Sequence, residues 1–381
     1  MSRTDRRPES AGRVTTVEVF FDVVFVFTVT QLTGVLEGDT SWAGIGRIAI
    51  ILGVLWYPYT GYAWLTNQVP PRHPAQKITL FAGMAGFLLT SVAIPAAFTD
   101  TAVLFALGFL VVVGIHLIMF SRSAARAAAI RLAPYNLAAA LLIGLAALVT
   151  GPATYVLWLA AALVQAALPY LAPGFSWIGV AGSYEVAAEH LVERHGLLVI
   201  VALGESVVAI GAGVDIRHIT AATGTAVVMG LALPAALWWT YFMDTGAAAS
   251  TLVAADPRTR TRLSARTYVL PHYLLLLGII ATATGIHAAV AHPEHPSDTA
   301  AALALAGGVA LFLAGTSGAA LGLRLGLLPS RVVGALAVLA TIALGISTAA
   351  CVQLAAIIVV LIGMLLIGPR HPSGRGSVRR Q

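Results

Sequence analysis

The sequence is poor in charge, cysteine and lysine. Only 10% of its 381 residues are charged, whereas soluble domains contain about 25%. Its single cysteine, Cys351, excludes disulfide bonds and cysteine-based metal sites within the chain. Its single lysine, Lys77, lies at the boundary of an apolar stretch, which excludes a retinal Schiff base, because that linkage needs a lysine inside a membrane span. Glycine-rich phosphate loops, GxSxG elbows and CxxC pairs are absent from any suitable context.

Apolar residues are abundant instead. They make up 59% of the chain, and the mean hydropathy is +0.89. A helix needs about 20 mostly apolar residues to cross the hydrocarbon layer of a bilayer. Hydropathy therefore predicts an all-α polytopic membrane protein with about twelve transmembrane helices in contact with the lipid bilayer. The predicted spans are 16–36, 43–66, 78–97, 102–120, 133–150, 155–172, 196–213, 219–242, 267–291, 300–322, 332–348 and 350–367.

The basic residues predict the orientation. With twelve spans, all but two of the 22 Lys and Arg residues lie on the side of the termini, and the exceptions are Arg47 and Arg217. Loops that carry such an excess stay on the cytoplasmic side during insertion. We therefore expect an inner-membrane protein with both termini cytoplasmic. The pI near 9.8 is then a consequence of topology, and we expect no nucleic acid as partner.

Two halves of the chain resemble each other. Span 2 ends in Leu-Trp-Tyr-Pro-Tyr at 55–59, and span 8 ends in Leu-Trp-Trp-Thr-Tyr at 237–241. Since six spans per half is an even number, such halves share one orientation, as in some transporters. We expect a cytoplasmic tail (1–15), a first six-helix half (16–172), a linker (173–195), a second half (196–368) and a disordered basic tail (369–381).

The first span carries unusual polar residues. Glu18 and Asp22 lie four positions apart, so they share one helical face. Charges inside a membrane are costly and normally face a bundle interior or a wet cavity. Both acids are therefore candidates for proton or ion coupling, or for a general acid. Gln31 is a candidate substrate ligand, although polar contacts between helices explain it equally well.

Another acid lies in the seventh span. Glu205 follows Gly196 by nine residues, which is about 14 Å along a helix, so it lies near the middle of the bilayer. We expect Glu205 and Asp22 to meet in one interior between the halves. Glu193 and Arg194, at the start of this span, are expected to form a cytoplasmic gate with Glu18.

His190, Glu193 and His195 leave a metal site open as an alternative. No HExxH-like spacing supports it, and a salt-bridged helix start explains the same residues. We expect no metal and no cofactor.

Aromatic residues cluster at the ends of spans 2 and 8. They are Trp56, Tyr57, Trp238, Trp239 and Tyr241. Trp and Tyr commonly form belts at membrane interfaces, and the alternative is an aromatic-lined pocket that binds a cation or an apolar ligand. We include these residues as candidate substrate ligands. His272, in span 9, joins them because a histidine inside a span is able to relay protons near neutral pH.

The polar motifs also resemble a known family. Glu18-Val-Phe-Phe-Asp22 with the apolar run to Gln31-Leu32, Glu193-Arg194-His195-Gly196-Leu197 continuing to Gly204-Glu205-Ser206, and Trp238-Trp239-x-Tyr241-Phe242 are similar to the bacterial low temperature requirement protein A (LtrA) family. This resemblance covers most of the chain. It implies an integral membrane protein named for a growth requirement in the cold, and it implies no particular biochemical activity. His195 stands where relatives usually have an aromatic residue.

Three functions fit these patterns. The leading hypothesis is a proton- or ion-coupled secondary transporter of an unidentified small solute. The first alternative is a membrane-embedded enzyme that acts on a lipid or isoprenoid by acid catalysis. The other is a non-catalytic membrane-adaptation protein. A transporter needs a cavity between the halves, whereas an enzyme needs a lateral or cytoplasmic opening with acids and aromatic residues at one depth. Sequence leaves the oligomeric state open.

Overall fold

The computed structural model describes residues 13–122, 126–166, 186–325 and 329–367, and in these ranges the chain is helical, without a β-strand. The helices are α1 (Thr16–Gly38), α2 (Trp42–Gln68), α3 (Pro74–Ala93), α4 (Ala102–Ser121), α5 (Arg126–Ala146), α6 (Pro152–Ala166), α7 (Ala188–Gly213), α8 (Ala221–Phe242), α9 (Thr245–Ala254), α10 (Pro257–Tyr268), α11 (Leu270–Ala291), α12 (Thr299–Gly322), α13 (Pro329–Ala340), α14 (Ile342–Ser347) and α15 (Ala350–Ile367).

The helices confirm an all-α polytopic membrane protein. Ten helical segments of the described ranges are long and apolar enough to cross a membrane, and two shorter apolar helices cover Ala133–Ala146 and Pro152–Ala166. Every predicted span overlaps a helix. Because the two shorter helices are not among the ten, the total of twelve membrane spans stays a prediction. Most of the expected linker and nearly all of both tails lie outside the described residues.

Helix pairing follows the same scheme in both halves. In the first half α1 packs on α2 and α3, α4 packs on α3 and α5, and α2 packs on α6. In the second half α7 packs on α8 and α11, α12 packs on α11 and α13, and α8 packs on α15. A parallel duplication would produce this correspondence, and the duplication itself stays a prediction.

Helices α11 and α12 pack closely and meet through glycines. A Cβ added at Gly308 would lie 2.4 Å from the backbone nitrogen of Thr282, and one added at Gly278 would lie 2.6 Å from the carbonyl oxygen of Gly308. Small residues allow the backbones of membrane helices to approach, so that van der Waals contact holds the pair together. These glycines therefore set the distance between α11 and α12.

The two ends of the bundle differ in charge. The end at which α1 and α7 begin, here called the arginine-rich end, carries Arg72, Arg258, Arg260, Arg262 and Arg266. The short helices α9 and α10 lie at this end, where Arg260 donates hydrogen bonds to the carbonyls of Leu252 (2.8 Å) and Val186 (3.2 Å). At the other end, here called the opposite end, α1 terminates near Glu37.

Asp256 caps the first turn of α10. Its Oδ1 accepts hydrogen bonds from the backbone N–H groups of Arg258 and Thr259, both at 3.1 Å. Hydrogen bonding to Thr259 holds the pKa of Asp256 below its ordinary value. The cap thus starts a polar helix between two membrane-spanning segments.

Candidate functional site

The candidate site lies between α1 and α7. These helices run in the same direction, because Asp22 of α1 contacts Arg194 of α7 and, further along both helices, Thr30 contacts Glu205. Their shared surface holds most of the acids that the sequence singled out. Since the expected halves begin with α1 and α7, this surface also joins the two halves.

Arg194 binds both acids of the first span. Its Nη1 lies 2.9 Å from Oε1 of Glu18, and its Nη2 lies 3.1 Å from Oδ1 of Asp22. All three residues are 0% exposed. The guanidinium carbon also lies 5.7 Å from the centre of the Phe21 ring, a cation–π distance. We call Glu18, Asp22 and Arg194 the ion network.

Hydroxyl groups support the ion network from α2 and from the start of α1. The Tyr59 hydroxyl donates to Oδ1 of Asp22 at 2.8 Å, and Thr66 accepts a hydrogen bond from Arg194. The second carboxylate oxygen of Glu18, Oε2, accepts hydrogen bonds from the Thr15 hydroxyl at 2.8 Å and from the Thr15 backbone N–H at 2.9 Å. These contacts orient the two buried carboxylates.

His190 completes the surroundings of Glu18. The Asn67 amide is oriented by Ala187, whose backbone N–H donates to Asn67 Oδ1 (3.0 Å) and whose carbonyl accepts from Nδ2 (2.9 Å). Asn67 Nδ2 also lies 3.1 Å from Nδ1 of His190. Because an amide nitrogen only donates, Nδ1 accepts, and the imidazole hydrogen is on Nε2, 3.3 Å from Oε1 of Glu18. His190 is therefore placed to donate a hydrogen bond from Nε2 to Glu18.

The charges of the ion network do not balance. Two carboxylates, Glu18 and Asp22, face one guanidinium. Among the described residues, Oδ2 of Asp22 and Nε of Arg194 have no hydrogen-bond partner. An excess charge buried without a partner is costly. Chemically, the arrangement is suited to bind one more cation, and a proton on Asp22 is the smallest.

Glu205 does not meet Asp22, contrary to our expectation. It is 5% exposed, and its Oε2 accepts a 2.6 Å hydrogen bond from the Thr30 hydroxyl. Thr30 follows Asp22 by eight residues, about 12 Å along the helix, and the buried Val26 and Val29 lie between them. Parallel packing is the reason, because each acid of α7 meets the residue of α1 at its own depth.

The polar surface continues from Glu205 to the opposite end. Glu37 lies seven residues beyond Thr30, two helical turns further on the same face of α1. Its Oε1 is 2.8 Å from Nδ1 of His287 in α11, and both side chains are partly exposed. Two polar regions thus lie along α1, separated by the valines.

Of the three residues expected to form a gate, the structure brings Arg194 to Glu18 and leaves Glu193 outside this contact, and the gating role itself stays a prediction. Arg194 belongs to the buried ion network, whereas Glu193 is exposed and accepts a hydrogen bond from the backbone N–H of Val14 at 3.3 Å. Neighbouring positions on a helix point about 100° apart, which separates the two side chains. Helix α7 begins at Ala188, eight residues before the predicted span, and therefore carries Arg194 into the bundle.

The two aromatic clusters have different surroundings. Trp56 is 0% exposed, and its indole N–H donates to the carbonyl of Val269 at 2.9 Å. Trp238 and Trp239 are 42% and 59% exposed. Tyr57 and Gln31 are half-buried. Tyr59, which was not among the candidates, contacts Asp22, and its place in the repeated aromatic motif is the signal that could have found it.

His195 and His272 pack together in the second half. The His195 ring lies 4.2 Å from the Tyr268 ring and 5.1 Å from the His272 ring, and the Tyr241 hydroxyl lies 3.0 Å from Nε2 of His272. His272 Nδ1 is 3.1 Å from the carbonyl of Thr267. His272 therefore donates through Nδ1 and accepts from Tyr241 through Nε2.

The residues of the metal alternative diverge. His190 points to Glu18, Glu193 is exposed, and His195 points to Tyr268. Within the part of the chain that the structure describes, no group of three His, Cys, Asp or Glu residues could hold a metal ion.

Residues 13–366 match the family described as bacterial low temperature requirement A protein (LtrA). A relative from Rhizobium meliloti (strain 1021), described as an uncharacterized protein, is 28% identical over 317 residues, which cover 78% of this chain and 75% of that protein. No solved structure matches the chain.

Proposed function

The chain belongs to the bacterial low temperature requirement A family, and we propose that it acts as a proton- or cation-coupled secondary transporter of a small solute. The observation that carries this proposal is the ion network. One guanidinium holds two carboxylates where α1 meets α7, and one carboxylate oxygen has no partner among the described residues.

Proton binding changes how strongly α1 and α7 are linked. With a proton on Asp22, the network is neutral, and Arg194 keeps Glu18 as its counter-charge. The attraction between Arg194 and Asp22 falls, because a neutral carboxyl group is a weaker partner than a carboxylate. The interface between the halves then loosens at the arginine-rich end. In transporters with parallel repeats, movement of one half against the other exposes a central site to alternate sides.

The two polar regions of α1 define the path along which the coupling ion enters. The region of Glu205, Thr30 and Glu37 extends to the opposite end, and Val26 and Val29 separate it from Asp22. We assign Glu205 as the first binding site that the coupling ion reaches from the opposite end. The valines prevent hydrated ions from passing while the halves are closed, since apolar constrictions in a pore lose their water.

The proposal also includes the orientation of the protein in the membrane. The arginine-rich end faces the cytoplasm of a cell with this protein in its inner membrane, and both termini lie on that side. The excess of basic residues in the loops at this end supports the assignment.

The enzyme alternative has less support. Glu18, Asp22, Tyr59 and Trp56 do cluster at one depth, but they are 0% exposed. An apolar cavity of about 480 Å³ is lined by other residues, among them Leu36, Trp42 and Leu277. A lipid in this cavity would meet no carboxylic acid among the lining residues.

The test uses the full chain in proteoliposomes. A sudden rise in proton concentration is expected to produce a charge movement, which is measured on a solid-supported membrane. In a second assay, a panel of amines, amino acids, sugars and organic acids is added to proteoliposomes that hold a pH gradient. The gradient is expected to dissipate when the protein transports the added solute. D22N is expected to lose both signals, because asparagine takes up no proton. It keeps a balanced Glu18–Arg194 pair and is expected to fold.

The matched control is E294Q, which alters an exposed acid at the opposite end. It is expected to keep both signals. Equal signals from D22N and the unchanged protein, with both folded by size-exclusion chromatography and thermal unfolding, would overturn the proposal.

A further inference from the structure

A groove of about 430 Å³ lies at the arginine-rich end between α7, α8 and α9, away from the ion network. Its lining includes Glu189, Glu193, Leu197, Ile200 and Phe242. The volume is in the range of small-molecule sites, which are typically about 300–1,000 Å³. We call it the acidic groove.

Two carboxylates lie at the mouth of the acidic groove. Glu189 and Glu193 are both exposed, and as positions i and i+4 of α7 they lie one turn apart on one face. Like charges at this spacing destabilise a helix unless a cation lies near both. They are unusual in this place, because the loops at this end are mainly basic and the chain has a formal net charge of +6. The groove is thus a negative site on a positive face.

One wall of the groove is aromatic and is formed by Phe242. Phe242 packs close to α7, since a Cβ added at Gly196 would lie 3.2 Å from its ring. Beside the groove, outside its lining, the Trp238 ring lies 4.9 Å from the Phe242 ring and the Trp239 ring lies 6.3 Å from the Trp238 ring. Both tryptophans keep large exposed faces. An aromatic face attracts a cation most strongly when water is excluded.

The floor of the groove is apolar. Leu197 and Ile200 follow Glu193 by one and two turns of α7, so the surface changes from charged to apolar with depth in the bilayer. A ligand that matches this gradient has a positive group at the mouth and apolar substituents below it.

We propose that the acidic groove binds amphipathic organic cations, such as ammonium or phosphonium ions with large apolar substituents. Binding rests on the groove alone. That such a cation is the transported solute rests on the proposed function above.

The experiment titrates the purified full chain, in an uncharged detergent, with tetraphenylphosphonium, and follows bound cation by equilibrium dialysis and by tryptophan fluorescence. Saturable binding is expected. Tetraphenylborate has nearly the same shape and the opposite charge, and it is expected not to saturate the site.

The double variant E189Q/E193Q is expected to bind tetraphenylphosphonium about tenfold more weakly, the effect of losing one modest charge interaction. The control E294Q is expected to bind like the unchanged protein.

Equal binding of the two tetraphenyl ions, or equal affinity in E189Q/E193Q and E294Q, would overturn the assignment. Full competition by phosphatidylcholine vesicles at a constant cation concentration would also overturn it, because the groove would then be a headgroup site. D22N separates the two proposals: it is expected to bind tetraphenylphosphonium normally, whether or not it has lost proton coupling.

Discussion

The Thr30 hydroxyl lies 2.6 Å from Oε2 of Glu205, and 175 positions separate the two residues in the chain. The same separation relates Glu18 to Glu193, the acids at the starts of the two similar motifs. If the halves are duplicates, Thr30 and Glu205 occupy equivalent positions. Equivalent positions that touch lie close to the axis that relates parallel repeats. This contact therefore places Glu205 near the centre of the proposed transport path.

The contact itself is open to a direct test. T30V keeps the shape of the side chain and removes the hydroxyl, which leaves the buried Glu205 carboxyl without this donor. We expect the free energy of unfolding to fall by roughly 1–3 kcal/mol, measured by thermal or denaturant unfolding in detergent. T30S retains the hydroxyl and is expected to keep most of the stability. Identical unfolding of T30V and T30S would show that the hydrogen bond contributes nothing.

Arg194 is expected to dominate the stability of the α1–α7 interface. R194M leaves two buried carboxylates without a counter-charge, and we expect a loss of roughly 3–5 kcal/mol, the usual cost of breaking a buried ion pair. Thermal unfolding in detergent measures the effect.

The triple variant R194M/E18Q/D22N is the compensating control. It removes the stranded charges together with their partner, so most of the lost stability is expected to return. A triple variant as unstable as R194M would mean that the guanidinium acts through packing rather than through charge.

Gly308 and Gly307 form a matched pair for the packing of α11 on α12. G308A places a Cβ 2.4 Å from the backbone nitrogen of Thr282, and backbone cannot move aside without separating the helices. We expect a loss of about 1–3 kcal/mol of unfolding free energy. In G307A the new Cβ meets only Leu303 Cδ1, at 3.7 Å, so no loss is expected. Equal melting temperatures for the two variants would contradict this role of Gly308.

The proposed orientation predicts which cysteines react from outside the cell. In a C351A background, H218C lies in an exposed loop at the opposite end and R258C lies at the arginine-rich end. A membrane-impermeant maleimide is expected to label H218C in intact cells and R258C only after the membrane is opened. Labelling of R258C in intact cells would reverse the orientation.

Sequence reasoning located the membrane spans well but placed the start of the seventh span too late along the chain, for one reason. Hydropathy averages over a window, so it placed the start of the seventh span at Gly196, after the charged residues. The helix starts at Ala188, because Arg194 has carboxylate partners inside the bundle and is neutralised there. The linear sequence indicated Glu18 as a partner of Arg194, but it did not indicate Asp22.

The aromatic residues also show that contacts between helices are not visible in the linear sequence. Trp56 and Trp238 occupy corresponding places in the repeated motif, yet the first is fully buried and the second is 42% exposed. Their local sequences favour an interfacial position equally. Exposure differs because α11 covers Trp56, whose indole N–H reaches the carbonyl of Val269, the residue just before that helix.

The sequence by itself determined the class of this protein, its helices and its unusual acids. Backbone hydrogen bonds inside a membrane must be made within each helix, so the length and the hydrophobicity of a segment are sufficient to identify a span. Tertiary structure alone decided that Arg194 binds Asp22 as well as Glu18, and that Glu205 meets Thr30 instead of Asp22. Partners between helices depend on the direction and register of packing, which arise from surfaces far apart in the chain.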